Sequence, residues 1–89
     1  MREITLVQIS SPGCHNCEVF ASFWENAQSQ FPHVTRKEIS IMSPEAAPYL
    51  AKHHILASPG IIIDDEFFSA GPVDTEALTY RLTELSKIA

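Results

Sequence analysis

From Ile4 to Ile9 the chain is apolar except for Thr5 and Gln8. Its length and its Ile and Val content predict a buried or half-buried strand. The segment SSPG that follows is a turn, punctuated by Pro12 and Gly13. From Cys14 to Gln30 the period lengthens: Cys17, Phe20, Trp24, Ala27 and Phe31 recur at three- and four-residue steps, and Phe23 widens the stripe. This spacing predicts an amphipathic helix that stops before Pro32.

A second strand is expected over Val34 to Ile41. It has Thr35, Lys37, Ile39 and Ile41 on one face and Arg36, Glu38 and Ser40 on the other. Ser43 suits an N-cap and Pro44 the first helical position, so a short helix should run to about His53, with Pro48 disturbing its start. His53 and His54 at its end suit the negative pole of the helix dipole and need no metal to explain them. After ASPG, residues 61 to 70 read as an antiparallel hairpin turning at DDE. Phe67 and Phe68 are expected on opposite sides, one in the core and one under a helix. Asp74 is placed to cap a last helix whose stripe is Leu78, Leu82 and Leu85, flanked by Ala77 and Ile88, with Tyr80 exposed. The order β-α-β-α-β-β-α describes an α/β domain, a four-stranded mixed sheet with helices on both faces.

Composition narrows the setting. Eighty-nine residues, 45% hydrophobic and 19% charged, suit one globular domain over residues 1–89. A formal charge of −5 repels phosphate backbones and anionic lipid, which argues against nucleic acid and membrane as partners. MREITLVQIS contains no uninterrupted apolar stretch followed by a small-residue cleavage site, so no secretory signal is expected. A cytoplasmic monomer is the expectation, and a lasting structural disulfide is uncommon in that compartment.

Both cysteines of the chain lie in SPGCHNCEVF. Two thiols at this spacing can close a reversible disulfide, supply half of a metal site, or be unrelated core residues. Their context carries a resemblance. C-x-x-C after a strand and opening a helix (Cys14, Cys17), Pro59 in front of GIII, and Gly71 before the last helix together resemble a minimal thioredoxin fold of the small thioredoxin/glutaredoxin-like kind. The likeness runs over essentially the whole chain.

The resemblance implies a dithiol–disulfide oxidoreductase without a bound cofactor or metal. Its partner would be a disulfide-containing protein or a low-molecular-weight thiol, and a separate reductase or thiol pool would recycle it. Cys14, at the positive end of a helix, would be the nucleophile, and Cys17, one turn on and more enclosed, would resolve the mixed disulfide. His15 either turns toward the thiolate and stabilises it or lies exposed with modest influence. Pro59 corresponds to the family's cis-proline, beside which the Ser58 backbone would meet an extended partner segment. Pro12, Gly13, Asn16, Gly60 and Gly71 complete the implied partner-facing groove, with Gly60 either widening it or easing the turn.

The chain also departs from the family. Gln8, six residues before Cys14, stands where thioredoxins usually carry a buried aspartate, and a neutral amide cannot take up a proton. Lys37 aligns with the lysine placed near that aspartate. The tryptophan usual before the first cysteine is replaced by Gly13. Against glutaredoxins, His15–Asn16 replaces Pro-Tyr and Ala57–Ser58 replaces Thr-Val, while Gly71 and Asp74 only echo the glutathione grip. Metal or iron–sulfur handling through the C-x-x-C, and a non-catalytic thioredoxin-fold binding module, are the alternatives. A closed zinc site wants four ligands, and intact Cys14, Cys17 and Pro59 argue against an idle groove.

Overall fold

A computed structural model describes residues 3–87. Ile88, assigned above to the last helical stripe, lies outside them. The elements run β1 (Ile4–Ser10), α1 (His15–Ala27), β2 (Val34–Ser40), α2 (Ala47–His53), β3 (Gly60–Ile63), β4 (Glu66–Ala70) and α3 (Thr75–Ser86). A 3-10 turn, Gln28–Gln30, closes the first helical stretch, and another, Pro44–Ala46, precedes α2. The second turn accounts for the irregular start anticipated at Pro48. Ser43 caps the 3-10 turn through the Glu45 N–H, and the α-helix proper begins only at Ala47.

The sheet order is β2-β1-β3-β4, with β1 parallel to β2 and antiparallel to β3, and β3 antiparallel to β4. As an interior strand, β1 is buried on both faces, which is why it reads as a nearly continuous apolar run. Side chains alternate across it. Ile4 and Leu6 join Phe20, Trp24, Ala27, Phe31, Ile61, Ile63, Leu78 and Leu82 in a core under α1 and α3. Val7 and Ile9 join Ile39, Ala46, Ile55 and Ile62 in a second cluster facing α2. The hairpin turns on Asp64 and Asp65, both at positive φ (49° and 67°), as a tight two-residue turn requires. A register shift between Ile61 and Ile62 interrupts the β3–β4 ladder.

Phe68 packs against the α1/α3 core as foreseen, but Phe67 is half exposed and stacks on His53 at the end of α2. A seven-residue α2 is too short to cover that side chain fully. Ala77 likewise lies exposed, so the buried stripe of α3 narrows to Leu78 and Leu82.

Candidate active site

The topology brings two loops together. The C-terminal end of β1 and the N-terminal end of β3 are neighbours, with Ile9 opposite Gly60 in the antiparallel ladder. The loop leaving β1 carries Cys14, and the loop entering β3 carries Ser58 and Pro59. Cys14 is the N-cap of α1, with extended backbone (φ −81°, ψ 108°), and its sulfur accepts the Cys17 N–H at 3.1 Å. Gly13 reaches this corner at φ +69°, a conformation that L side chains rarely adopt. Cys14 and Cys17 are disulfide-bonded, with Cα atoms 5.2 Å apart, inside the range a disulfide spans. Cys14 is partly exposed and Cys17 is buried, at 5%. The dithiol therefore has one sulfur toward solvent and one toward the core.

A family model described as thioredoxin domain matches residues 5–84. The chain belongs to the thioredoxin domain family. Thioredoxin O2 from Arabidopsis thaliana superposes with a TM-score of 0.73 at 16% identity, covering 96% of this chain and 76% of its own. The thioredoxin of Fasciola hepatica gives 0.70 at 21% identity, with 92% and 80% covered. A mutant thioredoxin from Halobacterium salinarum gives 0.75 at 15%, with 99% and 79% covered. At these identities the likeness concerns the fold. No curated protein matches the chain. The four-stranded mixed sheet and its three α-helices are those of a minimal thioredoxin fold. A thioredoxin-fold Cys14–Cys17 pair able to close a disulfide supports thiol–disulfide oxidoreductase chemistry in general.

The other candidate residues divide by burial. His15 occupies the first position of α1 and is exposed. Pro12 and Gly13 are exposed and Asn16 half-buried, so this rim beside the cysteines is open to solvent. Across it, the Ser58–Pro59 peptide bond is cis and Pro59 is fully buried. Gly60 and Gly71 are buried too. Gly60 does not widen the groove, because a Cβ there would lie 2.8 Å from the Ile55 side chain, which fills that space. Gly71, at φ +94°, donates its N–H to the Pro59 carbonyl at 3.1 Å and fastens the end of β4 to the proline loop.

Several contributors are invisible in the sequence. Ser11 and Ser58 join hydroxyls at 2.7 Å, tying the cysteine loop to the proline loop. Gln8 is fully buried and its amide meets the Cys17 carbonyl behind the disulfide, but the Lys37 side chain shares the face of Val7, not of Gln8. Lys37 lies on the other face of β2 and pairs with Glu45 at 3.1 Å. Arg36 reaches Gln8 instead, its Nε donating to Oε1 at 2.9 Å. The alternation of β2 holds the signal, since Arg36 and Glu38 share the face toward which even-numbered β1 residues point. A cleft of about 390 Å³ beside the cysteine loop is lined by Ser10, Ser11, Pro12, Glu38 and Ser40.

Among the described residues, no three of His, Cys, Asp and Glu cluster as a metal site requires. No helix among them is long and apolar enough to cross a membrane.

Proposed function

We propose that this thioredoxin-family protein reduces or exchanges disulfides, with Cys14 attacking and Cys17 resolving. One observation carries the assignment of roles. Cys14 is partly exposed at the helix N-cap, where the Cys17 N–H meets its sulfur, while Cys17 lies on the buried face of α1 that also carries Phe20 and Trp24. Unpaired N–H groups and the positive end of the helix favour a thiolate at Cys14.

In the forward direction the Cys14 thiolate attacks one sulfur of a partner disulfide. The partner's other sulfur leaves as a thiolate and takes up a proton, and a mixed disulfide remains. Cys17 then loses its proton and attacks the Cys14 sulfur, which expels the second partner sulfur. The partner gains two electrons and two protons, and the Cys14–Cys17 disulfide stores the oxidation. A separate reductase or thiol pool returns the electrons, and no bound cofactor takes part. The groove between Pro12, Gly13 and Asn16 on one side and Ser58 on the other would receive an extended partner segment or a small thiol. The working unit in this reading is a cytoplasmic monomer.

The test uses the asymmetry of the pair. Cys14→Ser should abolish disulfide reduction, by a factor of about 1,000 or more given that no thiolate remains to attack. Cys17→Ser should still attack and accumulate a mixed disulfide that intact mass detects and that retrieves the partner. If Cys17 alkylates first near neutral pH and Cys14 is protected, the roles are reversed.

A further inference from the structure

Gln8 is the one buried polar or charged residue among the described core positions, and its side chain is fully engaged. Its Oε1 accepts from Arg36 Nε at 2.9 Å. Its Nε2 donates to Ser10 Oγ at 3.0 Å and to the backbone carbonyl of Cys17 at 3.3 Å. The amide orientation is fixed by its partners, since a guanidinium only donates and a carbonyl only accepts. Ser10 in turn donates to Glu38 Oε2 at 2.9 Å, and Glu38 Oε1 lies 3.6 Å from Arg36 Nη2. The four side chains close a ring at the end of β1 and β2, and one hydrogen bond from the Gln8 amide to the Cys17 carbonyl links that ring to the first turn of α1. A carboxylate could not replace Gln8 in this ring, because one of its oxygens would face the Cys17 carbonyl oxygen.

The two charges of the ring are unequally placed. The Arg36 side chain is 22% exposed and tied directly to the buried amide, whereas Glu38 is 49% exposed and reaches Gln8 only by way of Ser10 and Arg36. Solvent screens the carboxylate more strongly than the guanidinium. The other ionisable side chains on the first turn of α1, His15 and Glu18, are exposed, and β3 presents Ile61 opposite Gln8. The charges joined to the Cys17 turn through the Gln8 amide are therefore one well-held cation and one more exposed, partly cancelling anion.

We propose that Gln8, Arg36 and Glu38 act as a positioning unit that tunes the dithiol, with Arg36 stabilising the thiolate, Glu38 opposing it and Gln8 fastening both to the Cys17 turn. This deepens the oxidoreductase reading and rests on it. Stabilising the thiolate stabilises the reduced protein, so Arg36 makes the disulfide more oxidising and Glu38 makes it less so.

The experiment compares Arg36→Gln, Glu38→Gln and Gln8→Leu with wild type. It reads the iodoacetamide rate of Cys14 at pH 7 and the equilibrium with reduced and oxidised glutathione, with thermal midpoints as the control for folding. Arg36→Gln should slow alkylation about threefold and shift the equilibrium toward the disulfide, while Glu38→Gln should speed it about twofold and shift the equilibrium the other way. Both effects should shrink at about 1 M salt, where the screening length falls to a few ångströms. In a Gln8→Leu background, adding Arg36→Gln should change the rate by less than about 1.5-fold, since the guanidinium has lost its anchor.

A purely structural ring would lower the thermal midpoint in every variant without opposite shifts in rate. Shifts of one sign in both charge variants, or none at all, overturn the proposal. Should Gln8→Leu fail to fold, the two charge variants still decide it. Wild-type protein that does not exchange with oxidised glutathione or with a protein disulfide would instead overturn the oxidoreductase reading. A wild type that exchanges, with variants indistinguishable from it, sinks only the tuning unit.

Discussion

The two faces of the sheet are built differently. On one, α1 and α3 bury Phe20, Trp24, Leu78 and Leu82 against Ile4, Leu6, Ile61 and Ile63, and Phe31 stacks on Trp24 with centroids 6.2 Å apart. On the other, α2 has no fully buried residue of its own, and Tyr49 and Leu50, themselves only partly buried, pack on Val7, Ile9, Ile39 and Ile62. Exposed ion pairs rim this thinner face, Lys37 with Glu45 and Lys52 with Asp65. The helix that presents the cysteines thus belongs to the heavily packed face. A nucleophile at a helix N-terminus keeps its geometry only as well as the helix is seated, and α1 is seated by side chains that leave little room to shift.

Truncating one side chain on each face tests that contrast most strongly. Phe20→Ala removes a ring that is 1% exposed and should cost about 3–5 kcal/mol. Leu50→Ala, on partly covered α2, should cost about 1–2 kcal/mol because its side chain is only partly buried. Urea midpoints of the two variants measure the difference. Equal losses would mean that α2 holds the sheet as firmly as α1 does.

The contrast is half legible in the sequence. The α1/α3 face announces itself because its residues follow long, regular helical spacing, so the stripe from Cys17 to Phe31 can be read position by position. The strand order and the two loops that meet at the cysteines follow from the family resemblance and from the β-α-β-α-β-β-α order. The α2 face resists, because a seven-residue helix preceded by a 3-10 turn gives too short a period to separate core from surface. Phe67, expected inside and found half exposed, differs for that reason. At the site, Cys14, Cys17 and Pro59 stand out as residue types at known intervals. Arg36 and the Ser11–Ser58 bridge do not, since each depends on side chains 28 and 47 residues apart meeting in space. Alignment with the family points to Lys37 instead of Arg36, whereas the side a strand residue faces depends on register.

A smaller change sharpens the comparison where the thin face meets the groove. Gly60 opens β3, and a Cβ there would come within 2.8 Å of Ile55 Cγ2. Ile55 belongs to the α2-side cluster, so Gly60→Ala pushes on that cluster from the sheet side. The expected cost is about 1–3 kcal/mol, the usual range for overpacking. Ile55→Val in the same chain should recover part of it by removing a methyl group from the crowded side chain. Failure of the second substitution to restore any stability would place the strain at the Ile55 Cγ2 contact, which valine keeps.

The smallest effect concerns the rim of the thin face. Lys52, in the last turn of α2, pairs with Asp65 in the hairpin turn, and its ammonium holds the Asp65 carboxyl below its ordinary value of 3.8, with a lesser contribution from His53. A carboxylate whose pKa is depressed by folding stabilises the protein fully above its unfolded pKa, and loses that contribution as pH falls through the folded one. Asp65→Asn removes the charge while keeping a residue type that tolerates φ 67°. The wild type should therefore exceed Asp65→Asn by a small, constant margin at neutral pH. That margin should narrow below about pH 4, as the wild-type carboxylate takes up its proton. Because the Asp65 side chain is 65% exposed, salt should shrink the margin as well. Thermal midpoints of both proteins from about pH 7 to about pH 2, at low and high salt, measure it. A gap that widens on acidification would mean that the turn is held by something other than this pair, and that the thin face does not depend on its rim.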